Sequence, residues 1–147
     1  MACAALLHDA VEDHARDIAT GGTRQDAVAV LAGQFGERTA GLVAAVTNPV
    51  YGPGRDEHEQ YREHVAASLQ ASPWARVIKA SDFTDNGVGL FHTTGPKLTE
   101  LAGKYRRLVP LLRELILRPD TPLDPEVKEM IAGQLDKAEG RFAAIPD

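Results

Sequence analysis

Apolar residues recur every three to four positions along most of this chain, and Gly or Pro separates one such segment from the next. The pattern predicts helices over about residues 1–18, 23–35, 37–48, 55–70, 73–86, 96–117 and 125–140. No segment alternates convincingly with period two, and residues 76–80 (RVIKA) are too isolated to pair as a strand. We therefore predict an all-α fold, a compact helical bundle that forms one domain over residues 1–147.

Several helix boundaries carry recognisable signals. Thr23 with Asp26 three positions later is a variant of the capping box, and Ser72 followed by Pro73 is typical of a helix start. Pro110 lies inside the long segment 96–117, where its missing N–H should kink the helix or divide it in two.

Composition narrows the class of protein. A net charge of −5 argues against a general nucleic-acid binder, since no strongly basic patch is available to neutralise phosphates. The single cysteine, Cys3, excludes an internal disulfide framework and fits a reducing cytoplasm. No apolar run approaches the roughly 18 to 20 residues of a membrane span, and the N-terminus lacks the basic flank of a signal peptide. We expect a cytoplasmic protein that does not bind membranes.

The stretch ALLHDAVEDH, residues 5–14, concentrates metal-competent side chains on one predicted helix. His8 and Glu12 are four residues apart, as are Asp9 and Asp13, so the two pairs occupy adjoining faces. An imidazole beside a carboxylate can bind one divalent ion such as Mn²⁺, Fe²⁺ or Zn²⁺. The alternative is an amphipathic helix whose polar face meets solvent. The surrounding apolar residues favour burial, and buried carboxylates need a cation.

A second polar group lies in VIKASDFTDNG, residues 77–87. Asp82 and Asn86 are four residues apart on one helical face, and Lys79 precedes Asp82 by three positions. Taken alone, such an Asp is more often a structural hydrogen-bonding residue than a catalytic one.

Together, the two motifs resemble the HD superfamily of metal-dependent phosphohydrolases. The resemblance covers about residues 2–90, includes the segment FGERTAGLVAAVTN at 35–48, and agrees in order and spacing. It is strongest to the (p)ppGpp pyrophosphohydrolases, which include RelA/SpoT-type hydrolase domains and small alarmone hydrolases. The resemblance implies an HD-domain helical bundle with a small nucleotide as its substrate.

The resemblance also assigns roles to seven residues. It implies metal ligands His8, Asp9 and Asp82, water-positioning residues Glu12 and Asp13, and nucleotide-binding residues Lys79 and Asn86. The implied reaction is hydrolysis of the 3′-pyrophosphate of ppGpp. The implied cofactor is Mn²⁺, which lowers the pKa of bound water and polarises a phosphoryl oxygen.

One departure from the family pattern concerns a further His ligand, which relatives carry on a helix upstream of the His-Asp pair. Here His8 lies almost at the first residue. Three explanations stay open: the chain is truncated, another His substitutes, or catalysis is lost and the protein binds nucleotide or a partner. The candidate substitutes are His14, His58, His64 and His92.

A missing upstream helix would expose the apolar flank ACAALL, residues 2–7, and we therefore expect a homo-oligomer that covers it. The basic segment KYRRL, residues 104–108, is a further candidate for contacts with substrate phosphates. The alternative for that segment is a solvated face paired with Glu100 or Glu114.

Overall fold

The computed structural model describes residues 2–88 and 95–145, apart from the side chains of residues 85–88. Within these ranges the chain forms helices and no strand, which confirms the all-α prediction. None of the helices in the described part is long and apolar enough to cross a bilayer. The helices are α1 (Ala2–Ile18), α2 (Arg24–Phe35), α3 (Glu37–Val46), α4 (Glu57–Ala71), α5 (Pro73–Val88), α6 (Pro96–Arg106), α7 (Val109–Leu117) and α8 (Pro125–Ala143).

Two helices begin where the sequence predicts. The Thr23 hydroxyl accepts a hydrogen bond from the backbone N–H of Asp26 at 3.0 Å, while the Asp26 carboxylate accepts one from the Thr23 backbone at 3.3 Å. This reciprocal arrangement is a capping box. At the start of α5 the Ser72 hydroxyl accepts from the backbone N–H of Ala75 at 3.3 Å, and Pro73 is the first helical residue.

The predicted break at Pro110 is also confirmed. The segment 96–117 divides into α6, which ends at Arg106, and α7, which begins at Val109. Pro110 lies in the first turn of α7, where backbone N–H groups have no carbonyl partner within the helix, so its missing N–H costs no helical hydrogen bond.

Helix α1 presents one buried stripe to the rest of the molecule. Ala4, His8, Val11 and Ala15 recur at helical spacing and are all buried, and α1 packs against α2, α3 and α5. His8 is the polar member of this stripe, so its imidazole is directed into the protein. The apolar flank is more exposed than the stripe, with Leu6 80 % exposed. Self-association through this flank stays a prediction.

Arg76 on α5 is fully buried and joins two distant parts of the chain. Its guanidinium donates to the carbonyl oxygens of Leu69 (2.7 Å) and Gln70 (3.2 Å) at the end of α4. It also donates to the Asp120 carboxylate (2.8 Å) and the Thr121 hydroxyl (3.0 Å), which lie between α7 and α8. The hydrogen bond from Arg76 lowers the pKa of Asp120 to about 2. Arg76 therefore fixes the position of α5, the helix that carries Asp82.

Replacing Arg76 with methionine should lower the free energy of unfolding by about 2–4 kcal/mol, because the buried carbonyl and hydroxyl groups lose their donor. Urea unfolding followed by circular dichroism measures this change. Arg118→Met is the matched control: Arg118 also contacts Asp120, at 3.0 Å, but its side chain is 43 % exposed. We expect a change within about 0.5 kcal/mol for that control. Equal effects of the two substitutions would contradict the role given to Arg76.

Candidate functional site

The contact between α1 and α5 brings His8 beside Asp82. The His8 Nε2 atom lies 3.1 Å from Oδ1 of its neighbour Asp9 and 3.9 Å from Oδ1 of Asp82. His8 is 4 % exposed, the Asp82 side chain is mostly buried, and the Asp9 side chain reaches solvent. The three residues implied as metal ligands thus lie around one atom, Nε2 of His8.

The orientation of the His8 ring is set by its own helix. The His8 Nδ1 atom lies 2.9 Å from the carbonyl oxygen of Ala5. Because a carbonyl oxygen only accepts, the Nδ1 atom carries the hydrogen in this contact. In the neutral imidazole this tautomer leaves the lone pair on Nε2, which faces the two carboxylates. The ring is therefore oriented as a metal-binding histidine requires.

Lys79 is the partner of the second oxygen of Asp82. Its Nζ atom lies 2.8 Å from Asp82 Oδ2, three residues along the same helix. Lys79 is 4 % exposed, so this ion pair compensates two charges removed from water. The contact with nucleotide that the resemblance implies for Lys79 stays a prediction. The side chain of Asn86, the other implied nucleotide-binding residue, lies outside the described residues.

The donor atoms fit Mn²⁺ in kind, because nitrogen and carboxylate oxygen are ligands that it accepts. Two donors bound to one divalent ion at roughly 2.1 Å each lie at most about 4 Å apart. The separation of 3.9 Å between His8 Nε2 and Asp82 Oδ1 is within this limit. Over residues 2–88 and 95–145, however, no group of three or more His, Cys, Asp or Glu side chains is already arranged to hold a metal ion. The ammonium group of Lys79 already contacts Asp82 Oδ2 at 2.8 Å.

Glu12 is fixed by the segment that follows α3. One carboxylate oxygen accepts a hydrogen bond from the Asn48 backbone N–H at 2.6 Å, and the other accepts from the Asn48 side-chain amide at 3.0 Å. Arg24 reinforces the contact by donating to the backbone carbonyls of both Glu12 and Asn48. Asn48 and Arg24 were missed at the level of sequence. Asn48 does lie within the segment 35–48 that contributes to the resemblance, although nothing marks it as a partner of Glu12.

Asp13 is separated from the pair formed by His8 and Asp82. It is exposed, and no hydrogen bond or ion pair among the described residues joins it to His8 or Asp82. Asp13 instead lines a cavity of about 650 Å³ together with Glu12 and Arg24. Directly after Asp13, the backbone of His14 leaves helical geometry (φ −126°, ψ 26°). The structure thus brings Glu12, but not Asp13, into a fixed position beside the buried face of α1.

None of the described alternative histidines has an ion pair with Asp9 or Asp82. His64 is half-buried, with its Nε2 atom 3.0 Å from the carbonyl oxygen of Thr47, and burial lowers its pKa. His14 is exposed and contacts Asp17 at 3.3 Å. His58 is joined to none of His8, Asp9 and Asp82 by an ion pair, and His92 lies outside the described residues.

Two tyrosines lie near the acidic groups of the site. Tyr61 on α4 is 3 % exposed, and its pKa is raised by burial and next by the charge of Asp82. Tyr51 is half-buried, and its pKa is raised by burial and next by the charge of Glu12. The Tyr61 and Tyr51 side chains therefore lie within electrostatic reach of Asp82 and Glu12, respectively.

No protein-family model, curated protein or solved structure matches this chain. Membership of the HD superfamily therefore stays a prediction from the two motifs.

Proposed function

We propose that this protein is an HD-type, metal-dependent phosphohydrolase that removes the 3′-pyrophosphate of ppGpp or of a related nucleotide. One observation carries the proposal: the buried His8 Nε2 atom, with its tautomer set by Ala5, faces Asp9 at 3.1 Å and Asp82 at 3.9 Å. The two motifs lie at opposite ends of the segment that resembles the family. Their meeting at one atom is what a shared metal site requires.

Each residue then has a defined task. His8, Asp9 and Asp82 would hold Mn²⁺. A bound divalent ion supplies Lewis acidity, which polarises a phosphoryl oxygen and acidifies water. Glu12 would accept the proton of the attacking water, because an ionised carboxylate has acceptor capacity beyond its two bonds from Asn48. Lys79 holds the Asp82 carboxylate in place through their contact at 2.8 Å.

The test has two steps. Mn²⁺ is titrated calorimetrically into the metal-free chain, and the release of pyrophosphate from ppGpp is then followed with and without Mn²⁺. We expect one Mn²⁺ per chain and Mn²⁺-dependent release of pyrophosphate and GDP. GDP serves as the control substrate because it lacks the 3′-pyrophosphate. Release of phosphate from GDP at a similar rate would instead indicate an ordinary nucleotide phosphatase, and failure to bind Mn²⁺ would contradict the proposal.

A second candidate is an HD-type protein that binds the nucleotide without cleaving it. Two observations favour it: Lys79 occupies one oxygen of Asp82, and no three-donor group is formed within the described ranges. This candidate predicts that ppGpp binds to the chain in EDTA and stays intact when Mn²⁺ is added. The two-step test therefore separates the candidates.

A further inference from the structure

Two lysine ammonium groups lie close to one buried aromatic ring. The Nζ atom of Lys104 on α6 is 4.3 Å from the centre of the Tyr61 ring, and that of Lys79 is 5.8 Å from the same centre. Lys104 also lies 5.5 Å from the ring of Tyr105. Such contacts attract a cation only weakly compared with a carboxylate. Because Lys79 contacts both the Tyr61 ring and Asp82, this ring links Lys104 to the Asp82 end of the site.

Lys104 differs from Lys79 in having no carboxylate within ion-pair distance among the described residues. Lys79 pairs with Asp82 at 2.8 Å, whereas no ion pair joins Lys104 to any carboxylate among the residues that the structure describes. Glu100, one turn earlier on α6, is not within ion-pair distance of it. Burial lowers the pKa of Lys104 most, and the charge of Lys79 lowers it further. The charges of Glu12, Asp82 and Glu100 raise this pKa, but each is a smaller effect than burial. An anion placed at Lys104 would offset the burial and the charge of Lys79.

The other cations of the segment 104–108 are directed elsewhere. The Arg106 guanidinium donates to the carbonyl oxygens of Phe142 (2.7 Å) and Ile145 (2.6 Å), and so joins the end of α6 to the end of α8. Arg107 is exposed. Lys104 is thus the member of this basic segment that faces the candidate site.

We infer that Lys104, over the face of Tyr61, forms a subsite for a phosphate group of the substrate, next to the centre formed by His8 and Asp82. An ammonium group donates charge-assisted hydrogen bonds to phosphate oxygens, and partial burial strengthens them. The assignment of that phosphate to ppGpp rests on the proposed function. The binding of a phosphate anion at Lys104 does not, because it requires neither metal nor catalysis.

The test uses inorganic pyrophosphate as the probe, titrated calorimetrically into the metal-free chain in EDTA. Lys104→Gln should weaken binding by about tenfold or more, while Lys104→Arg, which keeps the charge, should remain within about threefold of the parent chain. Lys97→Gln is the matched control, because Lys97 is an exposed lysine on the same helix. Its affinity should stay within about twofold of the parent chain. Circular dichroism of each variant establishes that the fold is retained.

Turnover separates this inference from the proposed function. If ppGpp is hydrolysed, Lys104→Gln should raise KM by about tenfold, with kcat within about threefold and Mn²⁺ affinity unchanged. If ppGpp is not hydrolysed but pyrophosphate binding still depends on Lys104, the proposed function fails and the subsite stands. Equal pyrophosphate affinity of the parent chain and Lys104→Gln, or an equal loss in Lys97→Gln, would overturn the subsite regardless of turnover.

Discussion

Replacing Asp82 with asparagine is expected to weaken Mn²⁺ binding by more than about 100-fold, a larger loss than is typical for a residue that only orients a ligand. Asparagine keeps the size of the side chain and an oxygen that Lys79 can donate to. It removes the negative charge that faces His8 Nε2 at 3.9 Å. Hydrolysis of ppGpp should fall with the metal affinity. Calorimetric titration of Mn²⁺ measures the first effect, and pyrophosphate release measures the second.

Two companion variants make this result specific. Asp17→Asn removes an exposed carboxylate on α1 that contacts His14, and it should leave Mn²⁺ affinity within about twofold. Lys79→Gln removes the ammonium group that contacts Asp82 Oδ2 at 2.8 Å, so Mn²⁺ affinity should be retained or increased. A purely structural ion pair would give a different pattern, in which Asp82→Asn and Lys79→Gln lower the urea midpoint alike and neither changes Mn²⁺ binding.

Much of the local structure was predictable, because it depends on residues close together in sequence. The capping box of Thr23 and Asp26 and the start of α5 after Ser72 each require only a few neighbouring residues. The division of the segment 96–117 follows from the single missing N–H of Pro110. The convergence of His8 with Asp82 is a long-range contact, and it was expected only because the order and spacing of two motifs resemble a family.

The contacts that the sequence did not predict depend on how helices pack. The spacing of Lys79 and Asp82 allows an ion pair, yet spacing alone does not distinguish a buried pair from a lysine that faces a nucleotide. Arginine is usually a surface residue, so the sequence gives no sign that Arg76 is fully buried. Its partners Asp120 and Thr121 come from a loop that is distant in sequence. The bond between Glu12 and Asn48 requires the end of α3 to meet α1, which no local pattern specifies.

Glu12→Gln should lower kcat for ppGpp by about 10²–10⁴-fold, the usual contribution of a general base, and leave Mn²⁺ affinity within about threefold. The fold should tolerate this change. Glutamine offers one acceptor where glutamate offers two, but rotation of the Asn48 amide would present its Oδ1 atom to the new N–H group. That Oδ1 atom is buried and has no hydrogen-bond partner in the part of the chain that the structure describes. Steady-state kinetics at saturating Mn²⁺, together with urea unfolding, separate the two effects.

Asp13→Asn provides the comparison within the same motif. The resemblance gives Glu12 and Asp13 a joint role, whereas the contacts fix Glu12 to Asn48 and leave Asp13 exposed beside the 650 Å³ cavity. If fixed geometry decides which carboxylate receives the proton, Asp13→Asn should lower kcat by less than about tenfold. Equal losses in the two variants would mean that both carboxylates act in catalysis. An unchanged kcat in Glu12→Gln would reduce Glu12 to a structural link between α1 and the end of α3.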